Sequence, residues 1–385
     1  MAVQGPRGAK PQEIGAIVEL SNAVFRPRGE GHMGRDYPLL FAPENAEDLR
    51  VFVDEGRPVS LVGIYQADLW LHGIRQRAGC IGSVCTHADY RGQGLATRLM
   101  KDARAKAAAD GCTLLLISGG RGLYRRLDYV DPGGYVTYRV GRKRLPQPGP
   151  YVLEEWSEQH LPELVRLHST EPVRFGRPPE DFRGFLSCGH VENAPGDVLL
   201  VREKKGRHAA AYVATWRAGA GGLDDEAVSV REMAGSRAAV AHALSALLDR
   251  YGAEEVHLDC LAADGEMRAL ARVHGWPTEA HGFHGTLGII QPARFWSACG
   301  PLFAERIGEE KVSPLRVEPR GDGLSLLYED EELTLEGMSD VTRLAFLPRG
   351  RRNELQLDLP ADSELRGLLE KLLPLPLPAY GLNFI

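Results

Sequence analysis

The period of the hydrophobic pattern changes several times along the chain, and each change marks an element. In 13–25 the residues Ile14, Ile17, Val18, Ser21, Val24 and Phe25 recur at helical spacing, which predicts an amphipathic helix. Residues 26–42 follow no period and read as irregular chain, holding Glu30, His32, Arg35, Asp36 and Tyr37. Asn45 is placed to cap a second helix running to about residue 55, with Gly56 as its stop. Two strands are expected near 60–70 and 74–86, turned at His72-Gly73.

The stretch 81–129 organises the rest. An apolar strand leads into the turn Arg91-Gly92-Gln93-Gly94-Leu95-Ala96. A helix then carries Leu95, Leu99, Ala103 and Ala107 on one stripe with Met100 beside it, while Arg98, Lys101, Asp102 and Arg104 point outward. Gly111 supplies the stop, and Thr113-Leu114-Leu115-Leu116-Ile117 is a continuous apolar run, as expected of a strand covered on both faces. Gly92 and Gly94 lack a Cβ, so backbone N–H groups can approach an anion where the helix N-terminus adds its positive dipole end. A pyrophosphate fits such a turn.

A glycine turn of this kind also opens Rossmann and Walker loops, or simply caps a helix. Here Gly-x-Gly-x-x-Gly lacks its third glycine, and no Lys-Ser/Thr follows. The pattern is Arg/Gln-x-x-Gly-x-Gly/Ala, preceded by Val84-Cys85-Thr86-His87-Ala88-Asp89-Tyr90, and it resembles the acetyl-coenzyme A motif of the GNAT N-acetyltransferase superfamily. The resemblance implies that the amides of Gly92, Gln93, Gly94, Leu95 and Ala96 hold the pyrophosphate of acetyl-CoA and that Arg91 flanks it. It also implies that the strand edge at Val84, Cys85 and Thr86 runs beside the pantetheine arm, with Ser118 and Gly119 completing the cofactor-binding set. Cys85 itself reads as a core thiol rather than a nucleophile.

The loop Leu123-Tyr124-Arg125-Arg126-Leu127-Asp128-Tyr129 narrows the resemblance to the enhanced intracellular survival (Eis) acetyltransferases, whose corresponding tyrosine is the general acid. That implies the role for Tyr124; read from the residue alone, a packed tyrosine is the alternative. Arg121, Arg125 and Arg126, with Arg139, Arg142, Lys143 and Arg144, form a basic region that either attracts the 3′-phosphate of coenzyme A or is a solvated rim.

Pro146-Gln147-Pro148-Gly149-Pro150 predicts a linker, because its prolines cannot continue a helix or a central strand. Beyond it the order of elements repeats: a helix at 159–168, strands around 198–201, 209–216 and 227–230, a helix at 237–251 and a strand at 256–260. At the matching turn, Arg231-Glu232-Met233-Ala234-Gly235-Ser236, Ala and Ser replace the required residues, and Glu232 sets a carboxylate where phosphates would lie. The Eis resemblance makes this a degenerate second acetyltransferase domain, with one acetyl-CoA per chain. From about 292, short strands at 316–318, 323–328 and 332–335 are expected, with Glu329-Asp330-Glu331 a solvated hairpin turn rather than a metal site. Helical spacing returns at 340–347 and 363–373. In the Eis family this region is a sterol-carrier-protein-like domain, and Ser339-Asp340-Val341-Thr342-Arg343-Leu344 fits its pattern. Pro374-Leu375-Pro376-Leu377-Pro378 predicts an extended rigid arm, or an SH3-type ligand. The predicted fold is α/β (α+β): GNAT-fold domains at 1–145 and 151–291, and a sterol-carrier-protein-like domain at 292–385.

At 385 residues the chain is too long for one such domain, and 43% hydrophobic with 25% charged residues is ordinary for a soluble globular protein. A net charge of −6 gives no drive toward nucleic acid or an anionic membrane, and neither partner is expected. Six scattered cysteines without a Cys-x-x-Cys pair, no signal-peptide pattern and no apolar run near ~20 residues predict a cytoplasmic protein. Metal-hydrolase and Gly-x-Ser-x-Gly motifs are missing, so no metal is expected.

Amide formation from a thioester needs a base for the amine proton, donors for the developing oxyanion and an acid for the thiolate. Backbone N–H groups near Val84 and Thr86 are candidates for the donors. The Eis resemblance places the terminal α-carboxylate, here that of Ile385, as the base, although the ending Tyr380-Gly381-Leu382-Asn383-Phe384-Ile385 differs from the aromatic end of the best-known members. It also implies a homo-oligomer, a hexamer in the family, and an aminoglycoside-, polyamine- or lysine-like primary amine as acceptor. The rival readings are a non-catalytic sensor of acetyl-CoA or lipid, and a protein-lysine acetyltransferase.

Overall fold

The computed structural model describes residues 3–29, 31–217 and 219–385, so Glu30 of the irregular segment lies outside the described residues. The chain forms two compact units. One holds the residues up to Pro132, His284–Leu375 and Ile385; the other holds Gly133–Phe283 and Pro376–Phe384.

In the first unit, strand β1 (Gln4–Gly8) is followed by helices α1 (Ile14–Phe25) and α2 (Met33–Asp36), then by strands β2 (Leu49–Asp54), β3 (Arg57–Leu71) and β4 (Ile74–Thr86). Helix α3 (Leu95–Ala109), strand β5 (Leu114–Ile117) and the short helix α4 (Gly122–Arg125) complete the N-terminal part. The expected helix after Asn45 is a correction: 43–48 is a 3-10 turn, and Leu49–Asp54 is a strand. Leu49, Val51, Phe52 and Val53 are all buried, and their backbone bonds go to β3 in antiparallel register. Asn45 caps nothing; its Nδ2 donates to the carbonyls of Leu40 (2.8 Å) and Ile64 (2.9 Å). Gly56 is no helix stop either. With Glu55 it forms a two-residue hairpin turn in which both have positive φ, +46° and +79°. His72-Gly73 turns the predicted hairpin in the same way.

The sheet runs β1-β2-β3-β4-β5 and ends on the strand Thr286–Ile289, antiparallel to β5. Helix α3 buries its predicted stripe, Leu95, Leu99, Met100, Ala103 and Ala107, in a core shared with Phe52, Ile64, Ile81 and Leu115. Each large side chain there contributes roughly 1.5–3 kcal/mol by leaving water. The later part of the unit matches the expected strands and helices within a few residues: Arg316–Arg320, Gly323–Tyr328 and Glu331–Leu335 form a three-stranded sheet, and Met338–Phe346 and Glu364–Leu372 are helices. Glu329 and Asp330 are exposed at the hairpin turn. Helix Met338–Phe346 packs on the edge strand, where the Thr342 hydroxyl accepts from Ile289 N–H at 2.9 Å.

In the second unit the sheet order is Thr278–His281, Tyr135–Gly141, Glu255–Leu261, Ala227–Gly235, Ala209–Trp216, Ala194–Glu203, Tyr151–Glu155. Only Ala227–Gly235 and Glu255–Leu261 are parallel, from Ala227↔Glu255 to Val230↔Leu258. Helix Arg237–Tyr251 covers them with Val240, Leu244, Leu247 and Leu248. The second proline run is extended but not on display: Leu377 is buried, and its carbonyl accepts from Tyr135 Oη at 2.5 Å. Among the described residues no helix is long and apolar enough to cross a membrane.

Candidate active site

Strands β4 and β5 pair in parallel from Ala78↔Leu114 to Ile81↔Ile117 and no further. The cause lies in β4. Leu61 opposes Cys85 while Gly63 opposes Gly82, so Ser83 and Val84 together face one residue of β3. This is a bulge, with Ser83 in the left-handed region at φ +51°. Its hydroxyl is tied to Ser21 Oγ of α1 at 2.8 Å. The bulge bends β4 away from its parallel neighbour and leaves a split between the two strand ends.

The main-chain carboxyl of Ile385 lies in that split. Ser118 Oγ, at the end of β5, donates to Ile385 O at 2.5 Å. A Cβ on Gly82 would stand 2.7 Å from the Ile385 carboxyl carbon and 2.9 Å from its oxygen, so only glycine allows the approach. Next to Ser118, a Cβ on Gly119 would meet the Tyr124 ring at 3.3 Å and its hydroxyl at 4.0 Å. Tyr124 and Ile385 thus flank two consecutive residues. Burial raises the Tyr124 phenol above its ordinary pKa, with Arg121 opposing, so it holds its proton at neutral pH. Its hydroxyl has no hydrogen-bond partner among the described residues.

Just past the same, C-terminal end of β4 lies the glycine turn. Gly92 and Gly94 have φ of +78° and +73°, and a Cβ on either would meet nothing within 4 Å. The conformation requires glycine and the space beside it is open. The N–H groups of residues 92–96 donate to no protein acceptor among the described residues, and Gly94 caps the N-terminus of the 15-residue helix α3. Arg91 is exposed, its Nε 3.3 Å from Thr86 O. Val84 and Cys85 are buried and Thr86 is half-buried, with its hydroxyl 2.8 Å from Ser60 Oγ. Burial pushes the Cys85 thiol up to about 12, so it is no thiolate nucleophile. These residues suit acetyl-CoA: an anion cradle at a helix N-terminus, an open approach and a strand split beside it. In the irregular segment Asp36 is buried and paired with Arg26 at 2.9 Å, and the Arg121 guanidinium lies 5.6 Å over the Phe25 ring.

The basic run after Arg139 is engaged elsewhere. Arg142 pairs with Asp249 (2.9 Å) and Glu254 (3.3 Å), and Arg139 with Glu279 (3.4 Å), all in the second unit. In that unit the parallel pair also parts after Val230↔Leu258, next to a bulge between Ala214 and Thr215 in the register with the neighbouring strand. Glu232 does not lie bare there as the sequence suggested. It is chelated by Arg177, 2.8 and 2.9 Å, and accepts from Tyr212 Oη (2.6 Å) and Leu382 N–H (3.0 Å). The nearby cavity measures about 80 Å³, and its Arg177, Arg231 and Arg237 are each ion-paired. That is well below the roughly 300 Å³ at which small-molecule sites begin. Ser83, Gly82, Arg177 and Asn383 were missed by sequence reasoning; the one available signal was Gly82, an isolated glycine within a strand.

The N-terminal part of the chain matches a recognised class. Residues 6–130 match the family model described as an acetyltransferase (GNAT) domain. The chain therefore carries a GNAT acetyltransferase domain and is an enzyme of the acyltransferase class, which implies an acyl-CoA and an acceptor as its substrates. Among solved structures, a conserved protein of unknown function from Enterococcus faecalis described as a probable N-acyltransferase superposes with TM-score 0.67 at 13% identity, over 98% of each chain. Eis1 from Mycobacterium abscessus does so with TM-score 0.63 at 13% identity, over 98% of this chain and 99% of that one. A GCN5-related N-acetyltransferase from Anabaena variabilis gives TM-score 0.63 at 14% identity, over 95% of each. At these identities the likeness is one of fold. No curated protein matches the chain in sequence.

Proposed function

We propose that this protein is an Eis-like N-acetyltransferase that moves an acetyl group from acetyl-CoA to a primary amine by direct attack. In this reading the chain consists of a catalytic GNAT domain at 1–145, a degenerate second one at 151–291 and a sterol-carrier-protein-like domain at 292–385, assembled as a homo-oligomer. The observation that carries it is the Ile385 carboxyl in the strand split, bonded to Ser118 and one residue from the Tyr124 contact.

Acetyl-CoA supplies the thioester, and the amides of residues 92–96 with Arg91 hold its pyrophosphate. Val84, Cys85, Thr86, Ser118 and Gly119 would line its pantetheine arm. The amine nitrogen forms a bond to the acetyl carbon as the carbon–sulfur bond breaks. The Ile385 carboxylate takes the amine proton, an N–H near the bulge donates to the carbonyl oxygen, and Tyr124 gives its phenolic proton to the sulfur. An α-carboxylate normally titrates near ~3.5, so it serves as a base at neutral pH only where burial and its hydrogen bonds suit it to the role.

The test is coenzyme A release from acetyl-CoA with panels of aminoglycosides, polyamines and lysine peptides. Turnover with free amines supports the reading. Acetyl-CoA binding without release from any panel would leave a sensor, and turnover with peptides alone a protein-lysine acetyltransferase.

A further inference from the structure

The second unit buries an ion pair, Arg177–Glu232. Arg177 is fully buried, Glu232 nearly so, and such a pair is no stabiliser in itself, because desolvating both charges consumes what their attraction returns. Burial alone would push the Glu232 carboxyl up; the Arg177 guanidinium outweighs it and holds the group down to about 2.

The remaining bonds of the pair show where it acts. Arg177 donates from Nε (2.9 Å) and from a terminal nitrogen (2.5 Å) to Asn383 Oδ1. Glu232 Oε2 accepts from Leu382 N–H. Gly381 has φ +48°, and a Cβ there would stand 2.0 Å from Glu232 Oε2 and 2.8 Å from its Cβ, so the tail lies against the carboxylate in a way that only glycine permits. Its carbonyl accepts from Glu192 N–H at 3.2 Å. Tyr380 is buried against Phe283, ring centroids 4.7 Å apart, with Phe384 edge-on to it at 5.3 Å.

We infer that the Arg177–Glu232 pair is a clamp on tail residues 381–383 and that it positions the Ile385 carboxylate, two residues further along the chain. Arg177, Glu232 and Asn383 are positioning residues in this scheme, since none meets the reacting atoms. The inference rests on the proposed role of Ile385 as base. It explains why a carboxylate stands at the matching turn of the repeat: the position serves the chain's own tail.

Two variants test the clamp without breaking the ion pair. Gly381→Ala pushes the tail off Glu232, and Asn383→Leu removes the acceptor of Arg177 at similar volume. In both, hydrogen exchange followed by mass spectrometry should show the peptide 376–385 exchanging at least about tenfold faster, with other peptides unchanged. The kcat should fall about tenfold or more and the acetyl-CoA Kd should stay within about twofold, a split that general destabilisation would not give. Wild-type exchange of the tail in both variants would overturn the clamp. Faster exchange at full kcat would uphold the clamp and overturn instead the reading of Ile385 as base.

Discussion

Ser118 Oγ donates to the main-chain oxygen of Ile385 at 2.5 Å across 267 residues of sequence, and this one bond ties the end of the chain to the end of strand β5. A hydrogen bond to a charged group contributes about 1.5–3 kcal/mol. If Ile385 is the base, Ser118→Ala should therefore lower kcat by roughly tenfold or more by holding it less well, while leaving acetyl-CoA affinity within a few-fold. Steady-state kinetics beside calorimetric binding checks this.

Tyr124→Phe removes only the hydroxyl. If that hydroxyl is the proton donor, kcat should fall by ~10²-fold with little change in acetyl-CoA affinity. Because burial raises the phenol's pKa, the high-pH fall in wild-type kcat should come above the ordinary tyrosine value, and the Phe variant should lack that limb. Wild-type turnover in Tyr124→Phe would make it a packing residue.

Gly94→Glu forces a side chain onto a backbone at φ +73° and brings a negative charge into the turn. Acetyl-CoA binding should be lost while the circular dichroism spectrum stays close to wild type, because the position is exposed and its surroundings are open. Retained calorimetric binding would remove the cradle from this turn. Wild-type titrations should saturate at one acetyl-CoA per chain, and two would revive the second unit as a cofactor site.

Stability should respond to acid through Glu232. Its folded pKa, about 2, is below the ordinary 4.5, so its contribution is complete above about pH 4.5 and is lost as pH falls toward 2. Glu232→Gln leaves Arg177 charged and buried, which costs on the order of 3–5 kcal/mol at neutral pH. The gap between the two proteins in urea denaturation should narrow steadily below pH 4.5. A gap independent of pH would mean that the pair does not titrate as a unit.

Much of the first unit was legible because its signals are local. The stripe on α3, the apolar run of β5 and the paired glycines of the turn each depend on neighbours within a few positions. Strand β2 was misread for the same reason: Asn45, Glu47 and Asp48 imitate a helix start, whereas the buried Val51, Phe52 and Val53 are decided by pairing with β3. Ser83 in a left-handed conformation leaves no mark in the sequence, since serine is no signal for positive φ. The pairing of Tyr135–Gly141 with Glu255–Leu261, and the clasp of Arg177 on Asn383, 206 residues apart, are contacts that no periodicity encodes. The charge of Glu232 was visible, and its partner was not.

If the carboxylate of Ile385 is the base, kcat against pH for a protein carrying two neutral residues after Ile385 reports it directly. The extension turns that carboxylate into an amide, which cannot take the amine proton, and leaves the glycine turn untouched. With Ile385 as the base, kcat should fall by ~10²-fold or more across the pH range, with acetyl-CoA affinity and melting temperature near wild type. An extended, folded and cofactor-competent protein that acetylates at the wild-type rate at every pH would contradict it.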